Sequence, residues 1–395
     1  MLQLINETDL SANIMPKNTN FCILPFIHLH VNENTDIKLC CVADTAPIGK
    51  YTPDFDFNTD SRMQDVRKRM LDGERIEHCA NCYNFEDGGA VSQRQQTNKE
   101  WFSKLNISEI AEVQTELVYY DIRNDNLCNL GCRMCGPQSS SQLEKEFDKI
   151  GWGHSATPKT FGFDDVIDLG TVKKIYVSGG EPSLLPKFRT LLKRAIHEGK
   201  TDFAIQLNTN ATNTNAEFCE LLSHFSDVNV AISIDGFDSV NKYIRWPANW
   251  DSMIQNIHRL YAITNNIAFS VTVSIWNISN LSPLVEFLES EFHTNTILLN
   301  KVNYPGYMEF TSFPNITLAI ADLMKMTSSY NYINELQFRT KIDYYIRELT
   351  DCRLNETALR EFFTYNDALD VSRNINLIDY IPELEKCREY LTKQI

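Results

Sequence analysis

The chain has 395 residues, of which 43% are hydrophobic and 23% are charged, and this composition is ordinary for a globular protein with a sizeable core. Its formal net charge of -15 disfavours nucleic-acid partners, because an acidic surface repels phosphate. The first 20 residues lack the basic start and apolar core of a secretion signal, and no apolar stretch approaches the roughly 20 residues that span a bilayer. The sequence therefore predicts a cytoplasmic protein without a membrane partner.

The first predicted elements follow a polar tail over residues 1–20. Alternating apolar positions predict a strand near residues 27–31, a turn at 32–36 and a returning strand at 37–39, so that this part reads as a β-hairpin. A helix is predicted at about 60–72, ending before Gly73. Its basic residues are expected to form an exposed, solvated face, since acidic residues are interspersed with them: Arg62, Arg67, Lys68 and Arg69.

Five cysteines accompany these elements. They are Cys22, Cys40, Cys41, Cys79 and Cys82. Clustered cysteines in a reducing compartment indicate metal ligands. Adjacent residues of a strand point to opposite faces, so Cys40 and Cys41 are not both expected to bind one centre, and Cys40 is preferred. The resulting set of four thiols suits an iron-sulfur cube or a structural zinc ion equally well. His28 and His30, on one face of the first strand, are expected to be structural.

From residue 117 to 300 the pattern alternates between strand and helix. Strands are predicted at 117–123, 173–178, 203–208, 228–234, 268–275 and 296–300. Between two of them, apolar residues over 188–196 repeat with helical spacing, and Gly199 follows as a stop. Repeated strand–helix units predict an α/β fold with a parallel sheet, in which ligands bind at the carboxyl ends of the strands. Residues after about 310 predict helices without a recognisable motif.

Two motifs stand at the ends of the first two of these strands. Cys128, Cys132 and Cys135 have the spacing C-x3-C-x2-C, and three such thiolates hold three irons of a [4Fe-4S] cube while leaving the fourth open to a small molecule. Gly179-Gly180-Glu181-Pro182 ends the second strand. A zinc site or buried free thiols are alternatives for the cysteines, and an ordinary turn is the alternative for the glycines.

Together these motifs resemble the signature of the radical S-adenosylmethionine (SAM) superfamily. The resemblance implies a partial (β/α)6 TIM-like barrel over residues 111–305, a [4Fe-4S] cluster, and bound SAM that is cleaved reductively to a 5′-deoxyadenosyl radical. It also implies the residues that contact SAM: Met134, Gly179, Gly180, Glu181, Pro182, Asn208, Asn210, Ser233, Asp235 and Arg245. Met134 stands where the family usually has an aromatic residue, and Arg245 follows the S-x-D-G sequence that begins at Ser233. Ser274 and Asn277 are weaker candidates.

The N-terminal cysteines resemble a second pattern, the twitch or shortened SPASM domain. That pattern implies an auxiliary [4Fe-4S] cluster held by Cys22, Cys40, Cys79 and Cys82 in a small α+β domain over residues 21–110. The segment departs from the pattern in two respects. It precedes the barrel, and Thr35 stands at the usual glycine position, five residues before Cys40. A helical region over 306–395 completes the predicted domains.

The resemblance favours an amino-acid residue in a peptide or protein as substrate, modified by oxidation, cross-linking or epimerisation. About 20 residues precede Cys22, fewer than a leader-peptide recognition domain needs, so that a polar small molecule such as a sugar or amino-acid derivative is the alternative. Cys41 is predicted as a catalytic hydrogen-atom donor, and flavodoxin or ferredoxin as the reductant. A non-catalytic iron-sulfur electron carrier and a zinc-stapled binding protein are further alternatives. Cys219, Cys352 and Cys387 are expected to be core residues.

Overall fold

The computed structural model describes residues 20–32, 34–43, 46–88, 91–123, 125–154, 166–294, 296–328 and 335–392. The polar tail predicted for residues 1–20 therefore lies outside the described residues, apart from Asn20. None of the helices within these ranges combines the length and the apolar character needed to cross a bilayer.

The described strands are β1 His28–Val31, β2 Asp36–Lys38, β3 Gly49–Lys50, β4 Tyr119–Ile122, β5 Lys174–Val177, β6 Ala204–Thr209, β7 Val228–Ser233, β8 Ile267–Val273 and β9 Ile297–Lys301. The helices are α1 Leu24–Ile27, α2 Ser61–Leu71, α3 Ala80–Asp87, α4 Gln93–Lys104, α5 Ser141–Ile150, α6 Pro186–His197, α7 Ala216–Ser223, α8 Ser239–Ile244, α9 Trp250–Tyr261, α10 Ser282–Phe292, α11 Ile316–Ser328, α12 Glu335–Asp351, α13 Glu356–Arg373, α14 Leu377–Tyr380 and α15 Glu385–Thr392.

The chain forms two compact units. The first comprises described residues within Met1–Asp125, Thr157–Leu207 and Glu220–Val228, and the second comprises those within Asn126–Ala156, Asn208–Cys219 and Asn229–Ile395. Both units thus draw on distant parts of the sequence. The domain boundaries expected at residues 110 and 305 do not coincide with these divisions and remain a prediction.

In the first unit the strands follow the order β3-β2-β1-β4-β5-β6. β1 and β2 form the predicted antiparallel hairpin, and β1 also pairs with β4 in parallel, which the sequence had not indicated. β4, β5 and β6 continue the parallel pairing. Side chains on the α1 side pack into an apolar cluster formed by Phe21, Ile23, Phe26, Ile27, Trp101, Phe102 and Val118. Cys22 therefore lies between two core residues, which fixes its backbone.

In the second unit β7, β8 and β9 pair in parallel. Their inward positions alternate with partly exposed ones, and the buried side chains on β8 are those of Ile267, Phe269, Val271 and Val273. All six strands predicted between residues 117 and 300 are present, with ends shifted by one or two residues. The α/β fold with parallel strands is confirmed, as are the helices predicted after residue 310.

One expectation about α2 is wrong. Arg67 does not lie on a solvated face but is 5% exposed, and its guanidinium donates to the carbonyl oxygens of Pro25 (2.7 Å) and Phe57 (2.6 Å). Its position at the fourth residue after Met63 places it on the buried side of the helix, beside Met70. The other basic residues do form ion pairs, as Arg69 does with Glu74 and Glu77.

The hairpin turn contains an unusual threonine. Thr35 has φ 63°, in the left-handed region where a β-branched residue is strained and glycine is not. We expect Thr35→Gly to stabilise the first unit by about 1 kcal/mol, since relief of this strain exceeds the entropy gained by the unfolded chain. Thermal denaturation of the apo-protein measures this change. Thr35→Ala retains the Cβ atom and serves as control, and an equal gain in both variants would contradict the explanation.

Candidate functional site

The cysteine loop, residues 128–135, lies in the second unit and leads into α5. The Cys128 amide donates to Ser141 Oγ (3.1 Å), and Ser140 Oγ donates to the Leu130 carbonyl (2.6 Å) while it also caps α5 by accepting from the Leu143 amide (3.1 Å). Gly131 and Arg133 are buried, whereas Cys132 between them is only half-buried. The loop is thus anchored at its start, and the middle cysteine lies between two buried residues.

Two of the predicted SAM-site residues lie next to this loop. Asn210 Nδ2 is 3.8 Å from Cys128 Sγ and donates to Asn129 Oδ1 (3.1 Å). Arg245 Nη1 is 3.9 Å from Cys132 Sγ. Burial raises the pKa of the Cys132 thiol, and the Arg245 guanidinium opposes that rise. The loop, Asn210 and Arg245 therefore form one polar site in the second unit.

Asp235 fixes the position of Arg245. Its carboxylate Oδ2 lies 2.6 Å from Arg245 Nε, and its Oδ1 accepts from the Thr272 amide (2.7 Å). Asn277, fully buried, donates to the Asp235 carbonyl (2.8 Å) and closes the turn after β8 by accepting from the Ser274 amide (2.8 Å). Asp235 thus orients the guanidinium from inside the protein, and Asn277 holds the backbone of Asp235. Ser233 and Asn208 are half-buried at the ends of their strands.

The glycines of the second motif lie in the first unit. Gly179 has φ 83° and Gly180 has φ 60°, which explains the need for glycine at both positions. A Cβ atom on Gly179 would come within 3.3 Å of the Arg123 side chain. Glu181, 1% exposed, uses its Oε1 to accept from Ser183 at both the amide (3.1 Å) and the hydroxyl (2.7 Å). Pro182 then begins a single helical turn.

The four N-terminal cysteines predicted as ligands interact electrostatically with one another in the first unit. Burial raises the pKa of Cys22 and Cys40, and the charges of the other thiolates raise it further. Burial is the main cause that raises the pKa of Cys79 to about 12, and the charges of Cys40 and Cys82 contribute to the rise. Deprotonating such a set requires a compensating positive charge, which a metal centre provides.

Cys40 and Cys41 differ in their surroundings. Burial raises the pKa of both thiols, and the charges that raise the pKa of Cys40 further are those of Cys41 first and then of Cys22 and Cys82. Burial raises the pKa of the Cys41 thiol to about 11, although part of the residue reaches solvent. The charges that act on this thiol are those of Asp121 and Arg123 first and of Cys82 last. This difference favours Cys40 as the ligand and leaves Cys41 beside the charged end of β4.

Sequence reasoning missed the residue that holds Cys22 in place. Asn98 on α4 donates to the Phe21 carbonyl (2.8 Å) and accepts from the Ile23 amide (2.8 Å), so that it binds the backbone on both sides of Cys22. Arg94, one helical turn earlier, also donates to the Phe21 carbonyl (2.6 Å). Two polar residues at i and i+4 show that they share one face of a helix, but they do not show which segment that face contacts. The sequence therefore could not reveal the contact between α4 and the backbone around Cys22.

Asn98→Ala leaves the buried Ile23 amide without its partner, at a cost of about 1–3 kcal/mol, and leaves the Phe21 carbonyl with Arg94 alone. We expect this variant to lose the iron bound by the N-terminal cysteines and to unfold at a lower temperature. Iron analysis and thermal denaturation of the reconstituted protein measure both effects. Gln96→Ala, on the exposed face of the same helix, is the matched control. Unchanged iron and melting temperature in the Asn98 variant would refute a role in holding Cys22.

The two cysteine sets have the donor chemistry of iron-sulfur cubes. A zinc ion needs sulfur atoms about 2.3 Å from one point. Among the residues that the structure describes, no three histidine, cysteine, aspartate or glutamate side chains are placed to hold one metal ion. A [4Fe-4S] cube binds each thiolate through a different iron, and its ligands therefore do not converge on one point. The donor sets, four N-terminal thiols and three loop thiols, have the chemistry that such cubes require.

The remaining candidates have internal roles. His28 Nδ1 is 3.2 Å from the Leu39 carbonyl, and His30 Nδ1 is 2.7 Å from Asp121 Oδ2, so both histidines are partnered in the core. Burial lowers the pKa of His28 to about 4. Cys387 is buried as expected, whereas Cys219 and Cys352 are half-buried. Met134 is half-buried within the cysteine loop.

Comparison with known proteins supports one family. The model of the Radical SAM superfamily matches residues 126–288, which include the cysteine loop, the glycine motif and Arg245. A curated relative, the sporulation killing factor maturation protein SkfB of Bacillus subtilis (strain 168), is 26% identical over 162 residues, or 41% of this chain. The match spans 37% of the relative's length.

Solved structures show weaker likenesses. One is a tagged form of anSMEcpe with bound AdoMet, with a TM-score of 0.41, 16% identity, and coverage of 58% of this chain and 60% of that one. Another is Streptococcus suis SuiB bound to S-adenosylmethionine, with a TM-score of 0.36, 11% identity, and coverage of 84% and 70%. Likenesses at these scores carry no argument about the function of this chain.

Proposed function

Since residues 126–288 match the Radical SAM superfamily, we propose that this chain is a radical SAM enzyme. The observation that carries the proposal is the loop of Cys128, Cys132 and Cys135 with Asn210 and Arg245 beside its thiols. A site built only to bind a structural ion would not need an asparagine and an arginine beside its thiols. The fold that accompanies this function is a partial (β/α)6 barrel.

In the proposed enzyme, the three loop thiolates hold a [4Fe-4S] cluster that leaves one iron open for SAM. When bound, a reduced cluster would supply the one electron needed to cleave SAM into methionine and a 5′-deoxyadenosyl radical, the species that would take a hydrogen atom from the substrate. The protein contributes the binding, the orientation and the exclusion of water.

The residues divide this work between them. Arg245, oriented by Asp235, offers a charge-assisted hydrogen bond to the SAM carboxylate. Gly179 and Gly180 let the backbone approach the SAM amino group closely. Further contacts with SAM are assigned to Met134, Glu181, Pro182, Asn208, Asn210 and Ser233. Asn210 also lies against Cys128, so that it is placed to hold both the ligand loop and the cofactor.

We propose further that Cys22, Cys40, Cys79 and Cys82 bind an auxiliary [4Fe-4S] cluster in a twitch-type segment that precedes the barrel. The left-handed backbone at Thr35 supports this assignment, because the twitch pattern has glycine at that position. An electron carrier such as flavodoxin or ferredoxin is the proposed reductant.

The proposed substrate is an amino-acid residue of a peptide or protein, with a polar small molecule as the second candidate. The name of SkfB describes it as a maturation protein of a killing factor, and this favours the first. Cys41, beside Asp121 and Arg123, is proposed as the thiol that returns a hydrogen atom to the substrate radical if the reaction is an epimerisation.

Electron paramagnetic resonance of the anaerobically reconstituted, reduced protein tests the proposal. Binding of SAM to an open iron changes the signal of that cluster, and we expect such a change in the wild type. The control variant is Arg245→Leu, in which the change should require more SAM. A signal that SAM leaves unaltered would favour an iron-sulfur electron carrier and overturn the proposal.

A further inference from the structure

The C-terminal helix α13 carries a buried polar stripe. Asn366, Asp370 and Arg373 follow one another at spacings of four and three residues, which places them on one face of the helix. Each is at most 7% exposed. Buried charges are costly unless they are fully paired, so such a stripe must face partners of matching charge. Those partners lie in and around the cysteine loop.

At one end of the stripe, Arg373 binds the residue before Cys132. Its Nη2 donates to the Gly131 carbonyl (2.7 Å) and to Glu146 Oε2 on α5 (2.6 Å), while its Nε donates to Glu146 Oε1 (2.9 Å). A Cβ atom on Gly131 would lie 3.2 Å from this guanidinium, a tight contact that glycine avoids. The guanidinium thereby ties the loop to α5.

At the other end, α13 binds the residue after Cys132. The guanidinium of Arg133 is completely buried, forms an ion pair with Asp370 and donates to Asn366 Oδ1 (3.0 Å). Tyr365, also on α13, donates its hydroxyl proton to the Arg133 carbonyl (2.7 Å). Both neighbours of the middle cysteine are therefore held by the same helix.

The same arginines hold the segment that carries Arg245. The Gly131 amide donates to the Trp246 carbonyl (2.7 Å) and the Arg133 amide donates to the Ile244 carbonyl (2.8 Å), which brings the loop alongside residues 243–246. Arg133 lies 3.6 Å over the Tyr243 ring, and Arg373 lies 4.8 Å over the Trp246 ring. Each guanidinium thus packs on an aromatic ring that flanks Arg245.

We propose that α13 is a positioning element for the metal site: Arg373, Tyr365 and Asp370 fix the cysteine loop and the Arg245 segment in one relative arrangement. This inference rests on the proposed function and extends it to the C-terminal region, for which the sequence offered no role. These residues act through Gly131 and Arg133, so they are positioning residues and do not touch the cofactor. The same helix also borders a cavity of about 330 Å³ lined by Trp152, Tyr307 and Tyr365.

The test uses the whole chain, reconstituted with iron and sulfide without oxygen, and follows two readouts besides activity. One is the rate at which a chelator removes iron from the cluster whose resonance signal responds to SAM. The other is the shape of that resonance signal together with the reduction potential of the cluster that gives it. Loss of a residue that supports a metal ligand weakens metal binding about 10–100-fold. For Arg373→Gln we therefore expect at least about a 10-fold faster release of this iron and a shifted signal.

A gentler variant and a matched control complete the design. Tyr365→Phe removes a single hydroxyl, is expected to fold, and should produce the same changes to a smaller extent. Arg388→Gln breaks an ion pair with Asp367 on the exposed face of α13 (2.6 Å) and does not touch the loop. We expect the control to match the wild type in iron release and in signal, with circular dichroism confirming the fold of all three variants.

The outcomes separate the two proposals. Faster iron release and a shifted signal in the Tyr365 and Arg373 variants, with an unaffected auxiliary cluster, support the positioning role. If both variants, or Tyr365→Phe alone when Arg373→Gln fails to fold, behave as the Arg388 control does, the inference is overturned although the enzyme assignment survives. If the wild type shows no signal that responds to SAM, the proposed function and this inference fall together.

Discussion

Cys132→Ala is expected to abolish reductive cleavage of SAM. Loss of a residue that merely supports a metal ligand costs about 10–100-fold, and loss of the ligand itself should therefore cost more than about 100-fold. Cys132 is the middle thiol of the loop and lies beside Arg245, so that its removal affects both the cluster and the group proposed to hold SAM. The measurement is 5′-deoxyadenosine formed after addition of SAM and dithionite.

The iron content of the same preparation shows where the effect arises. We expect it to fall from about eight to about four irons per chain, since only the loop cluster is lost. Cys219→Ala removes a half-buried thiol of α7 that lies outside both sets, and it should leave iron and cleavage unchanged. Cleavage of SAM at the wild-type rate by the Cys132 variant would refute the assignment of the loop.

The second large effect is expected from a pair of neighbouring cysteines. Cys40→Ala should lose the auxiliary cluster, about four irons, because the Cys40 thiol is influenced by two members of the set, Cys22 and Cys82, besides its neighbour Cys41. Cys41→Ala should retain it, because the strongest charge influences on that thiol come from Asp121 and Arg123. Iron and sulfide analysis with Mössbauer spectroscopy measures the cluster content of both variants. Cluster loss in the Cys41 variant with retention in the Cys40 variant would reverse the ligand assignment.

Reductive cleavage of SAM in these two variants adds a second comparison. The loop cluster does not depend on either residue, so uncoupled formation of 5′-deoxyadenosine is expected to persist in both. An equal loss of cleavage in Cys40→Ala and Cys41→Ala would mean that the N-terminal cysteines support the loop cluster instead of binding their own.

Local sequence patterns were sufficient to predict the strands and the cysteine loop. Strands such as β6 and β8 have short apolar runs bounded by polar turns, which determine their position to within a residue or two. The spacing of the three loop cysteines can likewise be recognised within one short segment of the sequence. The glycines at 179 and 180 could be understood in advance, because the left-handed backbone that they adopt is one that glycine favours.

Contacts between distant segments could not be predicted in this way. The parallel pairing of β1 with β4 joins residues about 90 positions apart in the sequence, and nothing in either strand specifies that partner. The burial of Arg67 depends on the carbonyl groups of Pro25 and Phe57, which only the fold brings to it. From the sequence alone, an arginine in a helix of mixed charge is predicted to be exposed, because the buried carbonyl groups that accept its hydrogen bonds are not known.

The same reason explains why the supports of the site were missed. Asn98 binds the backbone on the two sides of Cys22 from 77 and 75 positions away, and Arg373 binds Gly131 across 242. Polar residues in a helix indicate a face, but their partners are chosen by packing. The sequence therefore identifies the groups proposed to bind iron and SAM more readily than the groups that hold them in place.

The most direct test of the central claim is formation of 5′-deoxyadenosine by the wild-type protein. The protein is purified and reconstituted without oxygen, mixed with SAM and dithionite, and examined by mass spectrometry, with iron and sulfide counted on the same sample. Our account predicts 5′-deoxyadenosine together with methionine, and about eight irons per chain. Zinc in place of iron, or iron without any cleavage of SAM even when candidate peptides are present, would contradict it.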